Sequence, residues 1–335
     1  MNRVEFEHWM TSQAWAILPD SLATLMSWGR SESASAEEAI PIEAAVPRPT
    51  PPQRAGAIAV IPLMGPISKR DGMFSRMFGG ASIDGFTQQF RQALADESVS
   101  SILVQVDSPG GSVQGVEELA AEIYASRSIK PIVAYTDGYA ASAAYWIASA
   151  AGEFVASPSA SVGSIGVFGA HQDVSRMLDA AGVTVTLISA GKYKTEASPF
   201  APLTDEAKSA LQAQVDEHYT TFVANVARHR GVAVSAVKAG YGEGRMVSSK
   251  QAKAAGMIDS VGTFDSVIKR MSSRSFTANR AVAVMGELVT AAMFNADLSD
   301  DAEPVVTGDP VAAVEAPLSQ FELERRRRRL RLVGV

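Results

Sequence analysis

The sequence predicts an α/β domain of mostly parallel strands, and three observations carry that expectation. The first is a series of short apolar runs. Ile58-Ala-Val-Ile-Pro-Leu63 and Ser101-Ile-Leu-Val-Gln-Val106 have the length and composition of buried strands. The second is helical spacing between and after them. Ile83, Phe86, Phe90, Ala93 and Leu94 recur at that period, and so do Val116, Leu119, Ala120, Ile123 and Tyr124. The third is a long helix expected from Thr204. Asp205 and Glu206 stand in its first turn, where the helix dipole favours negative charge. Further strands are expected over 131–135, 153–156, 165–168 and 183–188.

The chain divides into three zones. Residues 1–55 hold an amphipathic stretch (Trp15, Ile17, Leu18, Leu22, Leu25, Met26) and a Pro-rich linker ending in Val46-Pro-Arg-Pro-Thr-Pro-Pro-Gln53. Residues 56–272 carry the alternating pattern. Residues 273–335 form a tail, acidic and Pro-containing over 295–310 and basic from Arg325 to Arg329. Both extensions are expected to be flexible.

Composition narrows the function classes. With 47% apolar and 20% charged residues the chain is globular, and its net charge of −6 gives no general reason to bind nucleic acid. Arg325 to Arg329 offer a local exception, as a dock for DNA or an acidic protein surface; a solvated tail is the plainer alternative. The absence of cysteine excludes disulfides, thiolate metal sites and a cysteine nucleophile, and fits a reducing compartment. Four scattered histidines form no ligand cluster, so no metal or other cofactor is expected. The first residues are acidic where a signal peptide would be basic. No apolar run reaches the roughly 18 residues needed to span a bilayer. A soluble cytoplasmic protein is the expectation.

Three segments carry chemistry. Val106-Asp-Ser-Pro-Gly-Gly-Ser-Val113 ends a strand ahead of a helix, and its paired glycines leave backbone N–H groups open to an anion or a developing oxyanion. The alternative is a plain turn with Ser112 as helix cap. Asp137-Gly-Tyr-Ala-Ala-Ser-Ala-Ala-Tyr-Trp146 sets Ser142 among small residues, exposed at a helix start or else inside a closely packed helix. Ser189-Ala-Gly-Lys-Tyr-Lys-Thr-Glu-Ala-Ser-Pro199 offers lysines. A lysine acts as a base only when burial keeps it neutral, and Lys192 and Lys194 are otherwise two solvated loop charges. Together these are the parts of a Ser–Lys acyl-transfer site.

Their order and spacing resemble peptidase family S49, the signal-peptide-peptidase A type. The resemblance runs from about Ile58 to Val267 and includes Gly163-Ser-Ile-Gly-Val. It implies a crotonase/ClpP-like core of repeated β-β-α units with mostly parallel strands. Carried over position by position, it makes Ser142 the nucleophile, Lys194 the general base and Ser164 the hydroxyl that orients the lysine. The N–H groups of Gly111 and Ala143 become the oxyanion hole. Many relatives have Gly-Gly after the serine, where this chain has Ala143-Ala144, so a narrower pocket is expected. Two rivals for the base stand beside Lys194. His171 lies 29 residues after Ser142, a separation broadly like that of ClpP-type Ser–His pairs, and Lys192 is two residues from Lys194.

The resemblance further implies a homo-oligomeric serine endopeptidase. The opening Trp15-Ala-Ile-Leu-Pro19 and the Pro-rich linker are similar to phage and prophage members. The implied role is therefore cleavage of scaffold, capsid or portal proteins during head maturation, in the host cytoplasm or inside the prohead. The alternatives are a signal-peptide-peptidase-like enzyme that degrades peptides, and a crotonase-like enzyme acting on acyl-CoA. The latter would not need both Ser142 and Lys194. A scaffold protein that has lost activity is a third.

Overall fold

The computed structural model describes residues 13–28, 57–71 and 80–273. The Pro-rich linker, the acidic stretch and Arg325 to Arg329 fall outside them. From the N-terminus, β1 (Trp15–Ile17) and α1 (Pro19–Trp28) precede β2 (Ala57–Met64), β3 (Ile67–Ser68), β4 (Ala81–Ser82) and α2 (Ile83–Ala95). Then come β5 (Val99–Ser108), β6 (Gly110–Ser112), α3 (Val116–Ser126), β7 (Ile132–Ala141) and α4 (Ala143–Ser149). After β8 (Glu153–Ala156), β9 (Ser161–Gly163) and α5 (Ser175–Ala180), the long α6 (Asp205–Arg230) leads to α7 (Val234–Gly240). β10 (Met246–Ser248), α8 (Ser249–Ala254), β11 (Ser260–Val261) and α9 (Phe264–Met271) follow.

The main sheet is largely parallel. β2, β5 and β7 pair in parallel, β7 also pairs in parallel with β8 and β9, and β11 lies parallel to β8. β10 is antiparallel to β9. Alternation along β5 shows why its sequence is an unbroken apolar run. Ile102, Val104 and Val106 join the large core with Phe86, Phe90 and Leu119 of α2 and α3. Leu103 points the other way, onto Val133, Val155 and the Val267 and Met271 side chains of α9. Both faces are covered, as a parallel sheet requires. Thr204 caps α6 by accepting the Ala207 N–H at 3.2 Å, and Gly231 ends it at φ 64°.

Two expected strands do not form. Over 165–168 only Phe168 makes a bridge, to Trp15. The pairing is spent earlier, in β9, because Gly163 (φ 121°) and Ser164 (φ 53°) turn the chain out of the sheet. Residues 183–188 alternate in the right way but have no strand beside them among the described residues, and Ile188 is 96% exposed. A strand is made by its partner, not by its pattern alone. β7 instead runs further than expected, to Ala141. At the bulge opposite, Asp107 Oδ1 accepts the Tyr139 N–H at 3.1 Å, and a Cβ at Gly138 would stand 2.3 Å from the same oxygen. Residues 13–28 of the N-terminal extension are strand and helix, with Trp15 and Ala16 fully buried. Among the described residues no helix is long and apolar enough to cross a membrane.

One buried titratable group makes stability depend on pH. His229 of α6 is 5% exposed. Ser149 donates its hydroxyl to the Trp146 carbonyl at 2.7 Å, so its 3.0 Å contact with His229 makes Nδ1 the donor and leaves Nε2 without a partner. Burial above all, then the charges of Arg228, Arg127 and Arg230, pushes the imidazole down to about 3. The unfolded chain takes up a proton below about 6.5, which the folded chain refuses. This contribution is therefore complete above that pH and is lost on acidification, by up to about 1.4 kcal/mol per pH unit. Thermal melts at about pH 7 and about pH 5 are expected to show a lower midpoint in acid, and His229→Gln to shrink the difference. An undiminished difference in the variant would assign it to other groups.

Candidate active site

The candidate nucleophile is the single residue between a strand and a helix. β7 ends at Ala141 and α4 begins at Ala143, so Ser142 makes the whole turn, at φ 54° and ψ −118°. Such a backbone costs a non-glycine residue about 1–3 kcal/mol and persists only where its surroundings enforce it. Here the Ser142 N–H donates to the Gly163 carbonyl at 2.7 Å and its own carbonyl accepts from the Trp146 N–H at 2.9 Å. Every residue of α4 is buried. The hydroxyl donates to the Gly166 carbonyl at 3.3 Å. Ser142 is at a helix start as expected, but it is 1% exposed rather than open.

A side-chain-free stretch of backbone lies against it. Ser108 donates its hydroxyl to the Gly65 carbonyl at 2.6 Å and accepts the Gly110 N–H at 3.2 Å, which fixes the turn into β6. At Gly110 (φ 96°) a Cβ would stand 2.2 Å from the Ala16 carbonyl oxygen and 3.0 Å from Ser142 Cβ. At Gly111 it would stand 1.9 Å from the Ile67 carbonyl oxygen. Only glycine fits either position. The contact between Gly110 and Ser142 was not legible in the sequence, because it depends on how β6 folds back across the end of β7. Ser112 does not cap α3; the cap position is Gly115.

Ser164 is brought beside Ser142. Ala141 pairs with Gly163 across β7 and β9, so the two serines follow directly on paired residues. Ser164 is 6% exposed and its N–H donates to the Arg245 carbonyl at 2.9 Å. Ala143 opens α4, where the first N–H groups of a helix have no intrahelical partner. Lys194 is not joined to this group. It lies on an exposed stretch, and among the described residues no hydrogen bond links it to Ser142. Lys192 is engaged elsewhere: its ammonium donates to Tyr193 and lies 3.1 Å from Glu206 Oε1, contacts that raise its pKa. His171 Nε2 lies 3.3 Å from the Ser198 carbonyl oxygen, also without a bond to Ser142.

This arrangement can be compared with known proteins. The model for peptidase family S49 matches residues 124–276. The protein slr0021 of Synechocystis sp. is 34% identical over 188 residues, which are 55% of this chain and 67% of that protein. The chain belongs to peptidase family S49. The S49 match includes Ser142, Ser164, His171, Lys192 and Lys194, and leaves β1 and the two glycines of β6 outside it. Among S49 relatives, Capsid assembly protease C of Escherichia phage lambda is 29% identical over 265 residues, covering 77% of this chain and 60% of that one. Protease 4 of Salmonella typhi is 35% identical over 222 residues, covering 66% of this chain and 35% of that one. The chain thus spans less than two thirds of the length of either.

Proposed function

We propose that this S49 chain is a serine endopeptidase. Ser142 attacks the scissile carbonyl while Lys194 takes its proton. The N–H groups of Gly111 and Ala143 hold the oxyanion, and Ser164 orients the lysine. Collapse of the tetrahedral intermediate breaks the C–N bond as Lys194 returns the proton to the leaving amine. Water then releases the acyl group from Ser142. The observation that carries this reading is the strained turn at Ser142, held at the start of α4 against the bare backbone of Gly110. Strain kept at one buried residue by so many contacts supports a functional role for it.

A neutral lysine requires a dry setting, which the single chain does not supply at Lys194. Assembly supplies it in this reading. Val183, Val185, Leu187 and Ile188 are exposed just ahead of Lys194, and a second copy covering them would enclose the lysine. The proposed substrates are scaffold, capsid or portal proteins in the host cytoplasm or prohead. The likeness to Capsid assembly protease C over 77% of this chain supports that role. The likeness to Protease 4 supports a broader peptide-degrading role for the same site.

Wild type, Lys194→Ala, Lys192→Ala and His171→Ala should be compared on labelled casein and on co-expressed capsid and scaffold proteins. Lys194→Ala is expected to lower hydrolysis by about 10²–10⁴-fold, the range for loss of a general base, while the other two remain active. Activity in Lys194→Ala together with its loss in His171→Ala would move the base to the histidine. Cleavage of casein but of none of the capsid-related proteins would leave the peptidase and remove the maturation role.

A further inference from the structure

The glycine-bearing strand β6 at the candidate site is paired along one edge with the chain's own β1. β1 runs antiparallel to β6, with Trp15 opposite Ser112, Ala16 opposite Gly111 and Ile17 opposite Gly110. The pairing extends at both ends: Leu18 N–H donates to the Pro109 carbonyl at 2.9 Å, and Val113 N–H to the Ala14 carbonyl at 3.4 Å. On its other edge Trp15 exchanges two bonds with Phe168, at 2.8 and 3.0 Å. Antiparallel partners alternate between bonded and non-bonded pairs. With Leu18 and Ala14 bonded toward the β6 side and Trp15 turned toward Phe168, Ala16 is the residue that bonds to Gly111. Its carbonyl therefore accepts the very N–H assigned above to the oxyanion, and it lies 2.2 Å from the Cβ position at Gly110 that is 3.0 Å from Ser142 Cβ.

We propose that β1 is an intramolecular occupant of the substrate groove, holding Ser142 shut with Ala16 at the position of the residue whose carbonyl is attacked. This rests on the assignment of Ser142 and Gly111 to the site. Extended peptides commonly bind by adding a strand to an open edge, and main-chain bonds provide most of the grip. A substrate strand that displaces β1 exchanges bonds of the same kind, so displacement costs little in hydrogen bonding. Ala14 and Ala16 face the main core with only their small side chains, and the larger apolar side chains of the segment form a cluster of their own. Trp15 and Ile17 pack with Leu22 and Leu25 of α1 and with Phe168, so β1 and α1 can leave as one unit. The register also names the substrate class: an extended polypeptide with a small residue where Ala16 lies, since Ala16 is 0% exposed beneath its neighbours.

A reversible lock tests this in the full chain. Trp15 and Ser112 are a non-bonded antiparallel pair, whose Cα separation of about 4.5 Å lies within the range a disulfide spans. The chain has no cysteine of its own, so Trp15→Cys with Ser112→Cys gives a single bridge. Casein hydrolysis by the oxidised variant is expected to be at least about 10-fold slower than by the same protein after reduction, and wild type is expected to be indifferent to reductant. Ile17→Asp, which loosens the strand without a bridge, is expected to raise kcat/KM above wild type. Equal rates with the bridge shown intact by mass spectrometry would overturn the inhibitory role and leave the peptidase standing. Failure of a folded protein to form the bridge would overturn the placement of β1. No hydrolysis by wild type or reduced variant, with Ser142 unlabelled by a fluorophosphonate, would overturn the peptidase reading and the proposal with it.

Discussion

Ser142→Ala is expected to lower peptide hydrolysis by at least about 10⁴-fold while the fold survives. Alanine keeps Cβ and loses one oxygen, whose bond to the Gly166 carbonyl is long, at 3.3 Å. Its contribution to stability is therefore at most about 1 kcal/mol. Ser142→Gly separates the two roles of the position further. It removes the same hydroxyl and also relieves φ 54°, ψ −118° in a residue with a Cβ. It is expected to be as inactive as the alanine variant and more stable than it by about 1 kcal/mol. Casein hydrolysis and urea denaturation of the three proteins read both effects. Near-wild-type hydrolysis by Ser142→Ala would remove this residue from the nucleophile's role. A glycine variant less stable than the alanine one would show that the turn is not strained.

What the sequence revealed and what it hid divide along physical lines. Runs that are buried on both faces, such as β5, and the one-sided helix α2 carry their environment in their own pattern. β8 was legible to the residue for that reason. Pairing is different, because it belongs to two segments at once. Residues 183–188 read as a strand and have no partner strand among the described residues, whereas 161–163 were not read as a strand and pair with both β7 and β10. The site shows the same split. Ser142, Ser164 and the glycines of β6 were named as candidates by motif, but their adjacency comes from the Ala141–Gly163 register and from β6 crossing the end of β7. The part that β1 plays was hidden altogether. Trp15, Ile17, Leu22 and Leu25 read as one amphipathic stretch, and only the pairing with Gly110–Ser112 shows that its first residues lie along the glycines next to Ser142.

Trp146→Ala is expected to destabilise the protein by about 3–5 kcal/mol, the cost of truncating a buried aromatic side chain. Trp146 is 2% exposed, and its ring lies parallel to Phe222 of α6 with centroids 4.5 Å apart. Its indole N–H is buried without a partner, so volume and stacking, not hydrogen bonding, are what the side chain contributes. Trp146→Phe keeps an aromatic face toward Phe222 and removes that unpaired donor, so a loss of only about 1 kcal/mol is expected. The consequence reaches the site through length. α4 has seven residues, too few to hold together alone, so the direction in which it leaves Ser142 is set by its anchorage on α6. Trp146→Ala should therefore lose hydrolysis at temperatures where it is still folded, chiefly in kcat, because the N–H of Ala143 and the turn at Ser142 both ride on the helix. Urea denaturation followed by casein hydrolysis in the cold separates the two effects. An alanine variant that unfolds at a much lower urea concentration but turns over normally when folded would show that β7 and Gly163, rather than α4, hold Ser142 in place.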